Sequence, residues 1–258
     1  MQLVWKILIC ILAGLGAGLG TGFAGMSAAA VISPMLITFL HMDPYQAVGI
    51  ALASDVLASA ASAYTYYKNK NLDVRNGVIM MAFVLLLTLV GSYVASIVPK
   101  STMGNFSVFM TMLLGVKFLV KPVMEPKPGF AAATAKQKAL RSALCGSMVG
   151  FICGFVGAGG GMMMLLVLTS VLGYELKTAV GTSVFIMSAT ALTGAASHFV
   201  IGGLPDVSTL ILCVISTLGF AQLGALIANR STPKVLNRVV GVILVILGVV
   251  ILAVNLFA

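Results

Sequence analysis

Residues 142–161, SALCGSMVGFICGFVGAGGG, repeat the pattern of residues 10–29, CILAGLGAGLGTGFAGMSAA. An offset of 132 superposes Gly14, Gly18, Gly22 and Gly25 on Gly146, Gly150, Gly154 and Gly157, and Phe23 on Phe155. It also pairs Ala47-Val48-Gly49 with Ala179-Val180-Gly181. After one inserted residue an offset of 133 pairs Asp73-Val74 with Asp206-Val207, Gly91 with Gly224, Ala95 with Ala228 and Gly115 with Gly248. The chain therefore reads as two related halves, 1–121 and 142–258, joined by a linker over 122–141.

The solvent of these halves follows from composition. Of 258 residues, 60% are hydrophobic and only 8% charged, against roughly 25% charged in soluble domains. Apolar runs of about 20 residues, the length of helix that crosses a ~30 Å hydrocarbon core, recur along the sequence. This is an all-α integral membrane protein, and the 28 glycines suit helices that pack closely or break where protein satisfies the freed backbone. The net charge of +9 does not point to nucleic acid, because the basic residues sit in short loops beside apolar runs. Lys6 ahead of Ile7 to Ala13 has the look of a signal peptide, but the repeat takes in this first helix and argues for its retention. Cys10, Cys145, Cys153 and Cys213 stand apart in apolar segments without metal-ligand spacing, as small hydrophobes would. No cofactor is expected.

Each half divides into five hydrophobic segments, A to E: about 7–23, 28–40, 46–67, 76–98 and 103–120, then 142–156, 160–172, 178–201, 207–229 and 235–257. Segment B of the first half has 13 residues, about 20 Å of helix, too short to cross. A and B are predicted to form a broken or re-entrant pair. The first C–D loop carries Lys68, Lys70 and Arg75, whereas in the second half the basic loop is D–E, with Arg230, Lys234 and Arg238. Cytoplasmic loops collect Lys and Arg, so this flip predicts two inverted repeats. Both chain ends then lie outside and the basic linker inside. Short, glycine-broken segments at the interface of inverted repeats point to a transporter with a site near the midplane.

The break at Gly154 to Gly161 exposes amide groups at a helix N-terminus, where donors and dipole favour an anion. It lacks the strand and βαβ unit of a dinucleotide fingerprint. Tight helix packing would use the same glycines. The matching break, Gly22 to Ala29, offers Ser27 as a cap or ligand group. Pro34 should kink segment B or remove one of its backbone bonds. Asp55 is the carboxylate well inside an apolar segment, and such a residue is a functional candidate by default. Ser59, Ser62 and Tyr66 share its helix face, which suits a proton carrier or a coupling-ion ligand as well as a hydrogen-bonded structural group. Ser183, Thr190 and Ser197 recur on one stripe of the second segment C, with His198 near its end. Serine and threonine there serve neighbouring carbonyls as readily as a polar path. Met162, Met163 and Met164 read as packing residues, and acid/base, nucleophile and zinc-protease signatures are absent.

The glycine ladder entering Gly157-Ala158-Gly159-Gly160-Gly161, followed by Ala179-Val180-Gly181-Thr182-Ser183, and Pro34 with Ala47-Val48-Gly49 in the first half, resemble the TauE/SafE group of sulfite exporters, also called 4-toluene sulfonate uptake permeases. The resemblance covers both halves. It implies a multi-pass carrier of the bacterial inner membrane for sulfite, organosulfonates or related sulfur anions, coupled to protons or another ion gradient. By position it implies an anion cradle at Gly25, Ser27, Ala28, Gly157, Gly159, Gly160 and Gly161, with hydroxyls from Thr182 and Ser183. The sequence departs from the family pattern at Ser27-Ala28-Ala29, where glycines are usual, at Ala51-Leu52, where hydroxyl residues are usual, and at Leu166, which stands where Pro34 does in the first half.

The function expected is secondary transport of a small anion, with Asp55, Ser59, Ser62 and Tyr66 in coupling and no enzymatic activity. Partners are the anionic substrate, membrane lipids and a proton or coupling ion, with no nucleic acid; a homodimer is left open. The alternatives are a passive anion channel, a carrier of a different small solute, and a membrane-embedded enzyme or assembly factor, for which the chemistry is missing.

Overall fold

In hydrocarbon every backbone polar group must be satisfied within the protein. The computed structural model, which describes residues 2–95, 116, 119, 120, 134–156 and 160–257, meets that demand with helices. Among the described residues these are α1 (Gln2–Ala24), α2 (Ala29–Leu40), α3 (Pro44–Lys68), α4 (Val74–Ala95), α5 (Ala135–Val156), α6 (Gly160–Ser170), α7 (Leu176–Gly202), α8 (Val207–Arg230) and α9 (Pro233–Phe257). Segment E of the first half lies almost wholly outside the described residues, as do the linker up to 133, Gly157, Ala158 and Gly159.

Four described helices are long and apolar enough to cross a membrane, over Leu3–Ala24, Gln46–Lys68, Leu176–Val200 and Val207–Arg230. Segment A of the first half is thus one continuous helix long enough to span, and the break lies beyond it. α2, with 12 residues, is about 18 Å long and does not span. It runs on through Pro34, whose missing N–H leaves the Ala30 carbonyl without its helical donor. α5 begins earlier than the hydrophobic pattern, inside the linker. Its start is a reciprocal cap in which the Gln137 amide N–H donates to Thr134 Oγ1 and the Thr134 N–H donates to Gln137 Oε1.

The polarity of the helices is inverted relative to a water-soluble protein. On α8 the buried face carries Thr209, Cys213, Thr217, Ala221, Gly224, Ala225 and Ala228, while Ile211, Ile215, Leu223 and Ile227 are exposed. Lipid offers no hydrophobic drive for helices to associate, so small residues that permit close backbone contact hold the bundle together. Gly14, Gly18 and Gly22 of α1 lie against Ser216 to Ala225 of α8. Gly146 and Gly150 of α5 lie in the same way against Met80 and Val84 of α4. A Cβ added at Gly22 would stand 2.4 Å from the Ala221 carbonyl oxygen and 2.7 Å from the Ala225 nitrogen, whereas one at Gly219 meets nothing within 4 Å. Gly22→Ala is therefore expected to cost about 1–3 kcal/mol through overpacking against backbone. Gly219→Ala should be neutral or slightly stabilising. Thermal unfolding of the two variants in detergent checks the contrast; equal midpoints would contradict this packing.

α3 and α7 cross at the centre in opposite directions: Gly49 faces His198 and Phe199, Leu52 faces Gly194, and Tyr66 faces Gly181. Side-chain bonds mark the two ends of the bundle. At the first end the Trp5 indole donates to the Phe39 carbonyl at 3.3 Å, so the start of α1 and the finish of α2 lie together. Lys6 pairs there with Asp206, which caps α8 by accepting the Thr209 N–H at 3.3 Å. The Lys6 ammonium, then the Thr209 hydroxyl, hold the Asp206 carboxyl below the usual carboxylate range. At the second end the Asn71 amide donates to Asn229 Oδ1 at 2.7 Å and Lys177 Nζ to the Asn229 carbonyl at 2.8 Å. The basic corners Lys68 to Arg75 and Arg230 to Arg238 therefore share the second end.

Candidate functional site

The corner between α1 and α2 is built by residues that turn the chain in the interior. Gly25 has φ 61, a left-handed conformation that glycine adopts without strain. The Thr21 hydroxyl lies 3.0 Å from the Ala17 carbonyl and 3.0 Å from that of Met26, bridging the end of α1 to the turn. Met26, Ser27 and Ala28 are buried, and Ser27 Oγ accepts the Ala29 N–H at 3.3 Å, satisfying one of the free donors that open α2.

The same hydroxyl donates to Asp55. Ser27 Oγ is 2.7 Å from Oδ2, and Ser59 Oγ, one turn along α3, is 2.7 Å from Oδ1. The Ala28 backbone also hydrogen-bonds the carboxyl. Asp55 is wholly buried and lies 11 residues into α3, about 16 Å of helix from its start and so near mid-depth. An isolated charge there would be prohibitive. Two hydroxyl donors, a backbone donor and the positive end of α2 are what make a carboxylate tenable.

The rest of the α3 face stitches this corner to the bundle. Tyr66 donates from its phenol to the Gly22 carbonyl at 2.8 Å, and the Ser62 hydroxyl is 3.4 Å from the Ala221 carbonyl of α8. From α7, Ser183 Oγ donates to the Gly25 carbonyl at 2.7 Å. The break of the second half arrives at the same place. A Cβ at Gly161 would stand 2.7 Å from the Ser27 nitrogen and 2.9 Å from the Met26 Cα, so the opening turn of α6 touches the backbone that opens α2. Gly160 is the first residue of α6, and Gly157 and Gly159 lie outside the described residues.

Thr182 goes elsewhere. Its Oγ1 accepts the Asp73 N–H at 3.2 Å at the second end. There Asp73 caps α4 through Asn76 and accepts the Tyr174 phenol at 2.8 Å. Burial first, then the Asp73 carboxylate beside it, push the Tyr174 phenol above its ordinary range. Thr190 and Thr193 bond to carbonyls of their own helix. The site residues inferred from sequence thus separate into a central group, Gly25, Ser27, Ala28, Asp55, Ser59, Gly161 and Ser183, and peripheral ones. Cys10 and Cys213, read from sequence as isolated, are buried free thiols that lie beside each other across α1 and α8, a proximity between halves that spacing along the chain does not reveal. Among the described residues no cluster suited to a metal ion occurs.

Comparison with known proteins agrees with a membrane transporter. The family model described as "Sulfite exporter TauE/SafE" matches residues 10–251. The chain is 25% identical to the "Probable membrane transporter protein YunE" of Bacillus subtilis (strain 168), over 94% of this chain and 96% of that one. It is 22% identical to the "Probable membrane transporter protein YdhB" of the same organism, over 91% and 96%. A "Probable membrane transporter protein" of Haemophilus influenzae is 27% identical over 76% and 75%.

Proposed function

This chain belongs to the sulfite exporter TauE/SafE family, and from that premise we propose a secondary transporter that moves a small sulfur anion, sulfite or an organosulfonate, across the bacterial inner membrane with a proton. It is a membrane transporter rather than an enzyme. The observation that carries the anion reading is the contact of the two breaks, where Gly161 of α6 meets the Ser27 amide just ahead of α2. Two short helices that open at one interior point direct two positive dipole ends there. Among the described residues no lysine or arginine is buried, so this polarity comes from backbone alone.

Asp55 gives the coupling step. Its carboxylate already occupies the donors at the N-terminus of α2. A substrate anion entering beside it meets a like charge at close range in a medium of low dielectric. A proton on Asp55 removes that repulsion and releases Ser27 to face the substrate. Anion and proton then bind together and cross together.

Two features support an inverted-repeat reading. Exchanging the halves at the offset of 132 turns the Gly49–His198 contact into Gly181–Tyr66, and both contacts exist. Gly18 against Thr217 is matched by Gly150 against Val84. The basic second end is the cytoplasmic one by the positive-inside rule. Both chain ends then lie outside, and a cysteine placed at Lys70 reacts with an impermeant thiol reagent from the cytoplasm, one at Leu204 from outside.

Direct binding tests the anion class. Purified protein titrated with sulfite, methanesulfonate, acetate and choline should be stabilised by the sulfur anions, by about 2.7 kcal/mol at a hundredfold excess over Kd. Choline should do nothing. Stabilisation by choline and not by any anion would overturn the proposal.

A further inference from the structure

At the second end of the bundle a groove of about 290 Å³ opens between α3 and α4, with α7 as its floor. Ala60 and Ala63 of α3 leave the space, and Leu72 and Phe185 close it with apolar surface. α4 cannot fill it by moving: a Cβ at Gly77 would already be 3.2 Å from the Phe185 ring. Tyr64 and Tyr67 flank the opening and are exposed, as tyrosines at a membrane–water boundary are.

The rim is cationic, and among the described residues its cations form no ion pair. Lys68 Nζ lies 4.6 Å from the centroid of the Tyr64 ring, and Lys70 on the following turn and Arg75 at the start of α4 are exposed. The nearby carboxylates accept neutral donors, Asp73 from Asn76 and Tyr174 and Glu175 from Thr178, so against the three cations they leave a local excess of positive charge. Among the described residues the ion pair formed is that of Lys6 with Asp206, at the opposite end. An apolar slot under three exposed cations matches a ligand with a hydrocarbon tail and an anionic head, and basic pockets between membrane helices bind such lipids.

We propose that this groove is a specific site for one anionic phospholipid. An acyl chain lies along Ala60, Ala63 and Phe185, and the phosphate is held by Lys68, Lys70 and Arg75. The lipid ties α3, which carries Asp55, to α4 and α7.

The test uses full-length protein in detergent, incubated with equal amounts of dioleoylphosphatidylglycerol and dioleoylphosphatidylcholine, and native mass spectrometry of the lipid retained. Wild type is expected to retain phosphatidylglycerol preferentially. Lys70→Gln, on an exposed turn, should lower the preference about fivefold, and Lys68→Gln/Lys70→Gln/Arg75→Gln should abolish it. Ala60→Trp should exclude both lipids by filling the slot. Lys136→Gln/Lys138→Gln, at the start of α5, should leave the preference unchanged. Equal retention of the two lipids by wild type, or an undiminished preference in Lys70→Gln and the triple variant, would overturn the site. Displacement of the lipid by millimolar inorganic phosphate would overturn it in favour of a free-anion site.

Discussion

Asp55→Asn is expected to abolish proton-driven accumulation while the protein still folds and reaches the membrane. Asparagine keeps the shape of the side chain, its carbonyl oxygen can accept a hydroxyl donor, and its amide can donate to a serine oxygen. What is lost is the site that takes up a proton. A one-unit pH gradient is worth about 1.4 kcal/mol per proton, or about tenfold in accumulation. Wild-type vesicles should approach that ratio, and Asp55→Asn vesicles a ratio of about one, with exchange of anion across the membrane retained. The measurement is the steady-state internal anion concentration at several imposed gradients. Undiminished accumulation in Asp55→Asn would assign the carboxylate a structural role, capping α2 through Ser27.

Gly161→Leu should abolish anion binding and transport together. The added Cβ would lie 2.7 Å from the Ser27 nitrogen and 3.0 Å from the Met26 carbonyl carbon, and backbone cannot turn aside as a flexible side chain can. Overpacking at this contact should cost about 1–3 kcal/mol of stability. The larger side chain also fills the approach to the amides. Leu166→Ala, on the same α6 and only partly buried, should be much milder. Anion affinity and thermal stability are measured on both variants. A Gly161→Leu protein that stays folded and binds anion with wild-type affinity would mean that these glycines serve helix packing only.

Much of this architecture is legible in the sequence because lipid restricts the choices. Charge content and run length identify membrane helices. The 13-residue segment B announces a helix that cannot span, and the flip of basic loops points to opposed halves. Asp55 also stands out, since a carboxylate in an apolar run is costly and rare. Its partner does not. That Ser27 rather than a residue of α7 meets Asp55 depends on how far α2 returns into the bundle, which periodicity does not contain. Thr182 and Ser183 are adjacent in sequence, yet successive helical residues point in different directions. One therefore serves Asp73 at the second end and the other Gly25 at the centre. The start of α5 was hidden because Thr134 and Gln137 form a polar cap ahead of the apolar run. Cys10 and Cys213 meet because glycines draw α1 and α8 together, a consequence of packing between the halves.

The most direct measurement is counterflow of labelled sulfite into proteoliposomes preloaded with unlabelled sulfite, with and without an imposed pH gradient. A proton-coupled carrier gives saturable uptake with a transient overshoot, net flux from the more acidic compartment, and loss of the gradient's effect in Asp55→Asn. A flux that rises linearly with sulfite, shows no overshoot and ignores the pH gradient would contradict a proton-coupled carrier and assign the protein to passive conduction.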